Sequence, residues 1–195
     1  VAGVAALAAK HYRDRRTLVR GADSAARQLW RRLDPAALRL SWTPVGYALL
    51  SMLTQSQTQA AAMSTPYVAG VLAAEGVTAV PAVNAAMFAG IASDGRALLS
   101  LLEQPLIQTL TALSKGVPQP AAMLTGETSL RMIVGTQVAD AGRVADGVAI
   151  TGTERGGYVR MLNPPSCSRC AVLAGQWYAW NAGFLRHPLC DCIAI

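Results

Sequence analysis

Thr125–Ile150 reads TGETSLRMIVGTQVADAGRVADGVAI, and this stretch decides the fold class. Leu130, Ile133, Val134, Val138, Ala141, Ala145 and Val148 recur at three- and four-residue steps. That is the period of an amphipathic helix, not the alternation of a strand. Asp140, Arg143 and Asp146 also stand three residues apart and are expected to pair on one exposed face. Such pairs contribute about 0.2–0.5 kcal/mol each.

The same period extends toward the start of the chain. Residues 2–33 are rich in Ala, Leu, Arg and Gln, all strong helix formers. Leu7, His11, Leu18, Ala22, Ala25, Leu29 and Leu33 form the expected apolar stripe, and arginines fill the other faces. Asp34-Pro35 predicts a short helix to Leu40, and Ser41-Trp42-Thr43-Pro44 a further stop and start. The next helix is expected from Val45 to Met63, with a restart at Pro66 and a stop at Glu75-Gly76. Asn84–Ala92 predicts a short helix and Ser93-Asp94-Gly95 a turn. Arg96–Ser114 predicts a helix broken at Pro105, and Val117–Pro120 a linker. Past Gly152 the pattern changes: Tyr158–Leu162 alternates like a strand. The expected fold is mainly α, a multi-helix domain over residues 1–152 with a small α+β cysteine module over 153–195.

Composition and charge narrow the class. The 195 residues are 52% hydrophobic and 14% charged, which excludes a largely disordered chain. The net charge of +6 is uneven. Residues 1–39 carry +6, residues 40–154 carry −3 and residues 155–195 carry +3. Between residues 40 and 93 the sole charge is Glu75. A spanning helix needs about 20 predominantly apolar residues. Here Pro44, Pro66 and the polar run Thr54–Gln59 interrupt the segment, so no membrane association is expected. A surface so bare of charge predicts that other subunits cover much of this middle. The start without Met and the strand-like ending Cys192-Ile193-Ala194-Ile195 predict an internal piece of a longer polypeptide.

All four cysteines fall in the last 29 residues. Cys167-Ser168-Arg169-Cys170 is followed, after sixteen residues, by His187-Pro188-Leu189-Cys190-Asp191-Cys192. A Cys-x2-Cys turn sets two thiolates on one side of a knuckle, and the second cluster can complete a tetrahedron around structural zinc. Five donors compete for four places: Cys167, Cys170 and Cys190, with His187 or Cys192 as the fourth. Two disulfides, or two buried reduced pairs, are the other readings. The absence of a visible secretory signal favours metal. Four protein ligands leave no open position for catalysis. Trp177, Tyr178, Trp180 and Phe184 between the clusters are expected to form the module's small core.

The basic arm suggests a second site. Arg13, Arg15, Arg16, Arg20, Arg27, Arg31 and Arg32 are candidate contacts to a nucleic-acid backbone, against the plainer reading of a solvated helix face. Catalytic patterns are missing: the sequence contains no G-x-S-x-G, HExxH, P-loop or GxGxxG. Ser93 and Ser129 are nominated as nucleophiles by residue type alone.

Asn163–Gly175 (NPPSCSRCAVLAG) followed by His187–Cys192 (HPLCDC) resembles the ending of the phage Mu F-like (MuF) minor head proteins. Those proteins carry Cys-x2-Cys-x2-Leu-x-Gly and a later His-Pro-x-Cys-x-Cys. Thr136–Arg143 (TQVADAGR) and Phe88–Arg96 (FAGIASDGR) look like the version found in tailed phages of actinobacteria. The resemblance is specific over 158–192, looser over 85–150, and over the first 80 residues limited to helical character. It implies a virion protein of a tailed phage, assembled in the host cytoplasm and acting in head morphogenesis. It implies several copies inside the capsid at the portal vertex, bound to the portal or major capsid protein; the basic ends of the chain add packaged DNA as a candidate partner. The family is often labelled a capsid maturation protease, but no catalytic residue carries over. An effector-delivery or membrane-associated protein is the third reading.

Overall fold

The computed structural model describes residues 2–78, 83–153, 157–162, 164, 166–179 and 192–194. Helices α1 (Ala2–Trp30), α2 (Leu38–Ala62), α3 (Ser64–Ala74), α4 (Leu98–Leu102), α5 (Gln104–Ser114) and α6 (Gln119–Thr151) form a bundle. A single 3-10 turn spans Ala85–Phe88. Strand β1 (Gly157–Met161), helix α7 (Ser168–Val172) and strands β2 (Trp177–Ala179) and β3 (Ile193–Ala194) follow. β1 pairs antiparallel with β2 on one side and β3 on the other.

The long helix read from Thr125–Ile150 begins six residues earlier, at Gln119. Pro118 caps it and Pro120 lies in its first turn, where a missing N–H costs no intrahelical bond. The supposed linker is therefore a helix start. Leu130, Ile133, Val134, Val138, Ala141 and Ala145 are buried as the period requires, while the exposed Val148 yields its place to Ala149.

α1 is one helix, but its buried face is rotated by about one residue from the expected stripe. Ala8, His11, Tyr12, Arg15, Ala22, Ala26 and Trp30 face inward. Leu7, Leu18, Ala25 and Leu29 sit half-buried on the flank. The ring of Trp30 fixes this rotation by donating from Nε1 to the Met123 carbonyl at 3.2 Å. Gly126 makes room for it: a Cβ there would lie 2.5 Å from the Trp30 ring and 2.1 Å from Thr109 Oγ1.

No short helix separates α1 from α2; residues 31–37 form turns, and Asp34 Oδ1 accepts from the Ala36 amide at 2.9 Å. Pro44 does not break α2. The carbonyl that loses its bond belongs to Leu40, which is 83% exposed. α2 ends at Ala62 with Met63 as its cap, where the sequence placed the end, and the restart comes at Ser64, two residues before Pro66. Positive φ at Gly76 and Gly95 ends or turns the chain where the sequence placed a stop and a turn, and Gly116 follows the end of α5 in the same conformation.

α6 runs through the bundle against α1, α2, α3, α4 and α5, and α2 packs against it, α1, α4 and the 3-10 turn. Leu49 and Leu53 pack there with Leu98, Leu102, Leu130, Val134 and Val138. Much of the charge-free middle is thus covered by the chain itself. Gln57, only 1% exposed, explains the polar run in that helix. Its Oε1 accepts from the Gly90 amide at 2.9 Å and its Nε2 donates to the Ile91 carbonyl at 3.0 Å. Gln137 of α6 holds the next turn, accepting from the Ser93 amide at 2.7 Å. Among the described residues no helix is long and apolar enough to cross a membrane.

The small sheet is attached to the bundle. Met161 at the end of β1 packs against the cluster formed by Ala8, Tyr12, Tyr67, Val68 and Ala149, and β3 lies against α6.

Candidate functional site

The two halves of the cysteine motif converge in the described residues. Cys167 caps α7, and its Sγ accepts from the Cys170 amide at 3.4 Å. β3 pairs with the end of β1 through Arg160–Ala194 and Met161–Ile193, which brings the preceding Cys192 beside α7. Cys170 Sγ and Cys192 Sγ are both buried and 3.9 Å apart. A disulfide needs about 2.05 Å. Two sulfurs sharing a tetrahedral zinc at about 2.3 Å each are separated by about 3.8 Å. The pair is therefore not a disulfide: the separation is that of two buried thiols in hydrogen-bond contact, and it is also the spacing of two sulfurs on one ion. His187 and Cys190 lie outside the described residues, and among those described no group of three or more His, Cys, Asp or Glu is arranged to hold a metal.

The alternation of β1 places Tyr158 and Arg160 on the same buried face. Arg160 Nη1 donates to Cys170 Sγ at 3.7 Å, and its guanidinium stands 6.0 Å from the Tyr178 ring centre. Tyr178 stacks on Tyr158 with centroids 5.5 Å apart; of the four aromatics expected to form the module's core, it is the one found half-buried among the described residues. Trp177 departs from that expectation: it is 61% exposed. Trp180 and Phe184 lie outside the described residues.

The arginines of α1 divide into two groups. Arg13, Arg16 and Arg20 are exposed, as are Arg31 and Arg32 beyond the helix end. Arg27 is partly exposed and pairs with Glu127 at 3.0 Å. At about 100° per residue, Arg13, Arg16, Arg20 and Arg27 fall within an arc of about 60°. They form a row about 21 Å long. Arg15 does not belong to it. The expectation that Arg15 contacts nucleic acid is incorrect, because its side chain points into the bundle and is 8% exposed.

Arg15 meets Asp146 there, so the expected exposed face of Asp140, Arg143 and Asp146 is also corrected. Asp140 and Arg143 do pair, at 3.2 Å, on a largely covered part of α6. Asp146 instead accepts from Arg15 Nη1 at Oδ2 and from Nη2 at Oδ1, the latter at 2.9 Å. Arg15 Nη2 also reaches the Gly142 carbonyl at 2.7 Å and Ser64 Oγ at 3.0 Å. Gly142 is required here: a Cβ would stand 2.7 Å from the guanidinium carbon. His11 Nε2 is 3.3 Å from Asp146 Oδ2, and the imidazole stacks on Tyr67 at 3.9 Å.

Burial sets the electrostatics of this cluster. It pushes the His11 pKa down, and the nearby Arg15 charge adds to that against the pull of Asp146. Burial acts upward on Asp146, but the Arg15 charge and the His11 hydrogen bond outweigh it and hold the carboxyl below its ordinary value. Tyr67 is pushed up, first by burial and then by Asp146.

Serine, histidine and aspartate meet here, but not as a nucleophilic device. Ser64 is completely buried and its hydroxyl is engaged with Arg15 and the Gly142 carbonyl, while His11 bonds to Asp146. A serine nucleophile needs its hydroxyl on the histidine and open to substrate. The cluster is instead a clamp joining α1, α3 and α6. Ser93 accepts from Gln137 Nε2 through its hydroxyl, and Ser129 is buried. Sequence reasoning missed the clamp because arginine and aspartate read as surface. The available signal was position: Arg15 stands four residues after His11 on the inward face of α1, and Asp146 four after Gly142. No family model, curated protein or solved structure matches the chain.

Proposed function

We propose that the chain is a structural minor head protein of the MuF-like type from a tailed phage, with a zinc-stabilised C-terminal module. The observation that carries this reading is the ending NPPSCSRCAVLAG…HPLCDC, in which Cys170 and Cys192 stand at the separation of two ligands of one zinc ion. The metal's part is structural. It ties the first half of the motif to the last strand in a module too small to be held by apolar burial alone.

The bundle supplies the docking body. Leu40, Tyr47, Met87 and Ile91 are large apolar side chains left exposed in the segment nearly bare of charge. They are the surface offered to the portal or major capsid protein, in several copies within the virion. The arginine row of α1 is the surface offered to packaged DNA.

Co-expression with the portal and major capsid proteins of the source phage tests the reading. Sedimentation of the chain with assembled heads is expected. A chain left at the top of the gradient overturns the assembly role. Cleavage of a head protein that stops on substituting one residue of this chain would replace the structural role by a protease.

A further inference from the structure

We infer that Arg160 is the internal counter-charge of a thiolate metal centre, donating an N–H···S hydrogen bond to a metal-bound Cys170 whose neighbouring ligand is Cys192. The inference rests on the zinc reading and deepens it.

Arg160 is 1% exposed, in the middle of β1. Its guanidinium carries donors and no acceptor, so the 3.7 Å contact to Cys170 is an N–H directed at sulfur. A neutral thiol is a weak acceptor for such a donor. A thiolate is a strong one, and it is the form that binds metal.

Charge counting points the same way. With Cys192 as the fourth ligand beside Cys167, Cys170 and Cys190, zinc with four thiolates carries −2. Such a sphere gains from one fixed cation beside it. Arg160 is placed to act on both halves of the motif: it touches Cys170 by side chain, and its backbone pairs with Ala194, two residues from Cys192. The Cys170 amide aimed at Cys167 Sγ supplies a second donor to the sulfurs. The sulfur environment is thus formed by the fold before any ion arrives. This makes Arg160 a positioning residue, in the way that outer hydrogen bonds tune metal ligands elsewhere.

The test compares the chain with its Arg160→Met, Arg160→Lys and Cys192→Ser variants. Zinc affinity is read by competition with a chromogenic chelator, and the sulfur-to-metal charge-transfer band by cobalt substitution. Arg160→Met is expected to retain about one zinc per chain at saturation but to bind it about 10–100-fold more weakly. Its cobalt band shifts to lower energy, because the sulfur lone pair loses a hydrogen bond. Arg160→Lys recovers part of both, and Cys192→Ser loses affinity together with band intensity. Unchanged affinity and spectrum in Arg160→Met overturn the role of Arg160 and leave the zinc reading standing. Unchanged affinity in Cys192→Ser overturns the ligand assignment. A parent chain that binds no zinc overturns both.

Discussion

Arg15 on α1 and Asp146 on α6 form a two-point ion pair inside the bundle, with Nη2 2.9 Å from Oδ1 and Nη1 bonded to Oδ2. Both side chains are almost wholly covered, so neither charge has water to fall back on. Removing one partner leaves the other buried and unpaired, which typically costs about 3–5 kcal/mol. Arg15→Met and Asp146→Asn are each expected to lose stability on that scale in urea unfolding. The double variant Arg15→Met/Asp146→Asn should lose clearly less than the two single losses combined. Additive losses would show that the two charges do not act as a pair.

The same cluster sets an acid limit on the fold. His11 is held below its ordinary 6.5, chiefly by burial, so the unfolded chain takes up this proton before the folded chain does. The stabilising contribution is complete above about pH 6.5 and is lost as the pH falls through that value toward the lowered folded pKa. Asp146 adds a second loss below its ordinary 3.8, as the pH approaches its lowered folded pKa. Urea midpoints measured from pH 7.5 to 4.5 should decline, and His11→Gln should flatten that decline. A His11→Gln variant with the parent's slope would remove His11 as its cause.

Legibility in the sequence tracked what each residue does locally. The three- and four-step apolar period of Leu130–Ala145 and the glycine signals at Gly76 and Gly95 are local, and they placed most helices. Pro44, Pro118 and Pro120 misled because proline reads as a breaker wherever it stands. Its cost depends on whether the missing N–H falls in a first turn or beneath an exposed carbonyl. The inward turn of Arg15 was not legible. It depends on Asp146, 131 residues away, and on the space left by Gly142. The cysteine clusters were legible because all four thiols fall at short spacings in the last 29 residues. The contact of Arg160 with Cys170 was not, because it forms only when β1 is laid beside α7.

Gln57 offers a test of how the loop after the 3-10 turn is held. Its amide closes both a donor at Gly90 and an acceptor at Ile91. Gln57→Leu keeps the volume and abandons both groups, at about 1–3 kcal/mol for each left without water. Limited proteolysis is expected to cut near 89–96 well before the rest of the chain. Global unfolding should shift by less than for the Arg15 variants. A loop as resistant as the parent's would mean that the bonds to Gln57 contribute little.

The arginine row of α1 predicts how DNA binding, if the head-protein reading holds, must behave. The row presents guanidiniums along one rigid face, with the nearby Tyr12 ring buried and so unable to stack on bases. Contacts of this kind fall on phosphates and carry no sequence information. Affinity for two duplexes of unrelated sequence should therefore be equal and should fall steeply with salt. Arg13→Ala/Arg16→Ala/Arg20→Ala removes three such contacts. Each is worth about 0.9 in the slope of log affinity against log salt, so the slope should become shallower by about 2.7. Arg39→Ala and Arg169→Ala, which remove charge elsewhere, should leave the slope nearly unchanged. A slope that responds equally to both sets would show diffuse attraction of a basic protein, and the row on α1 would lose its role.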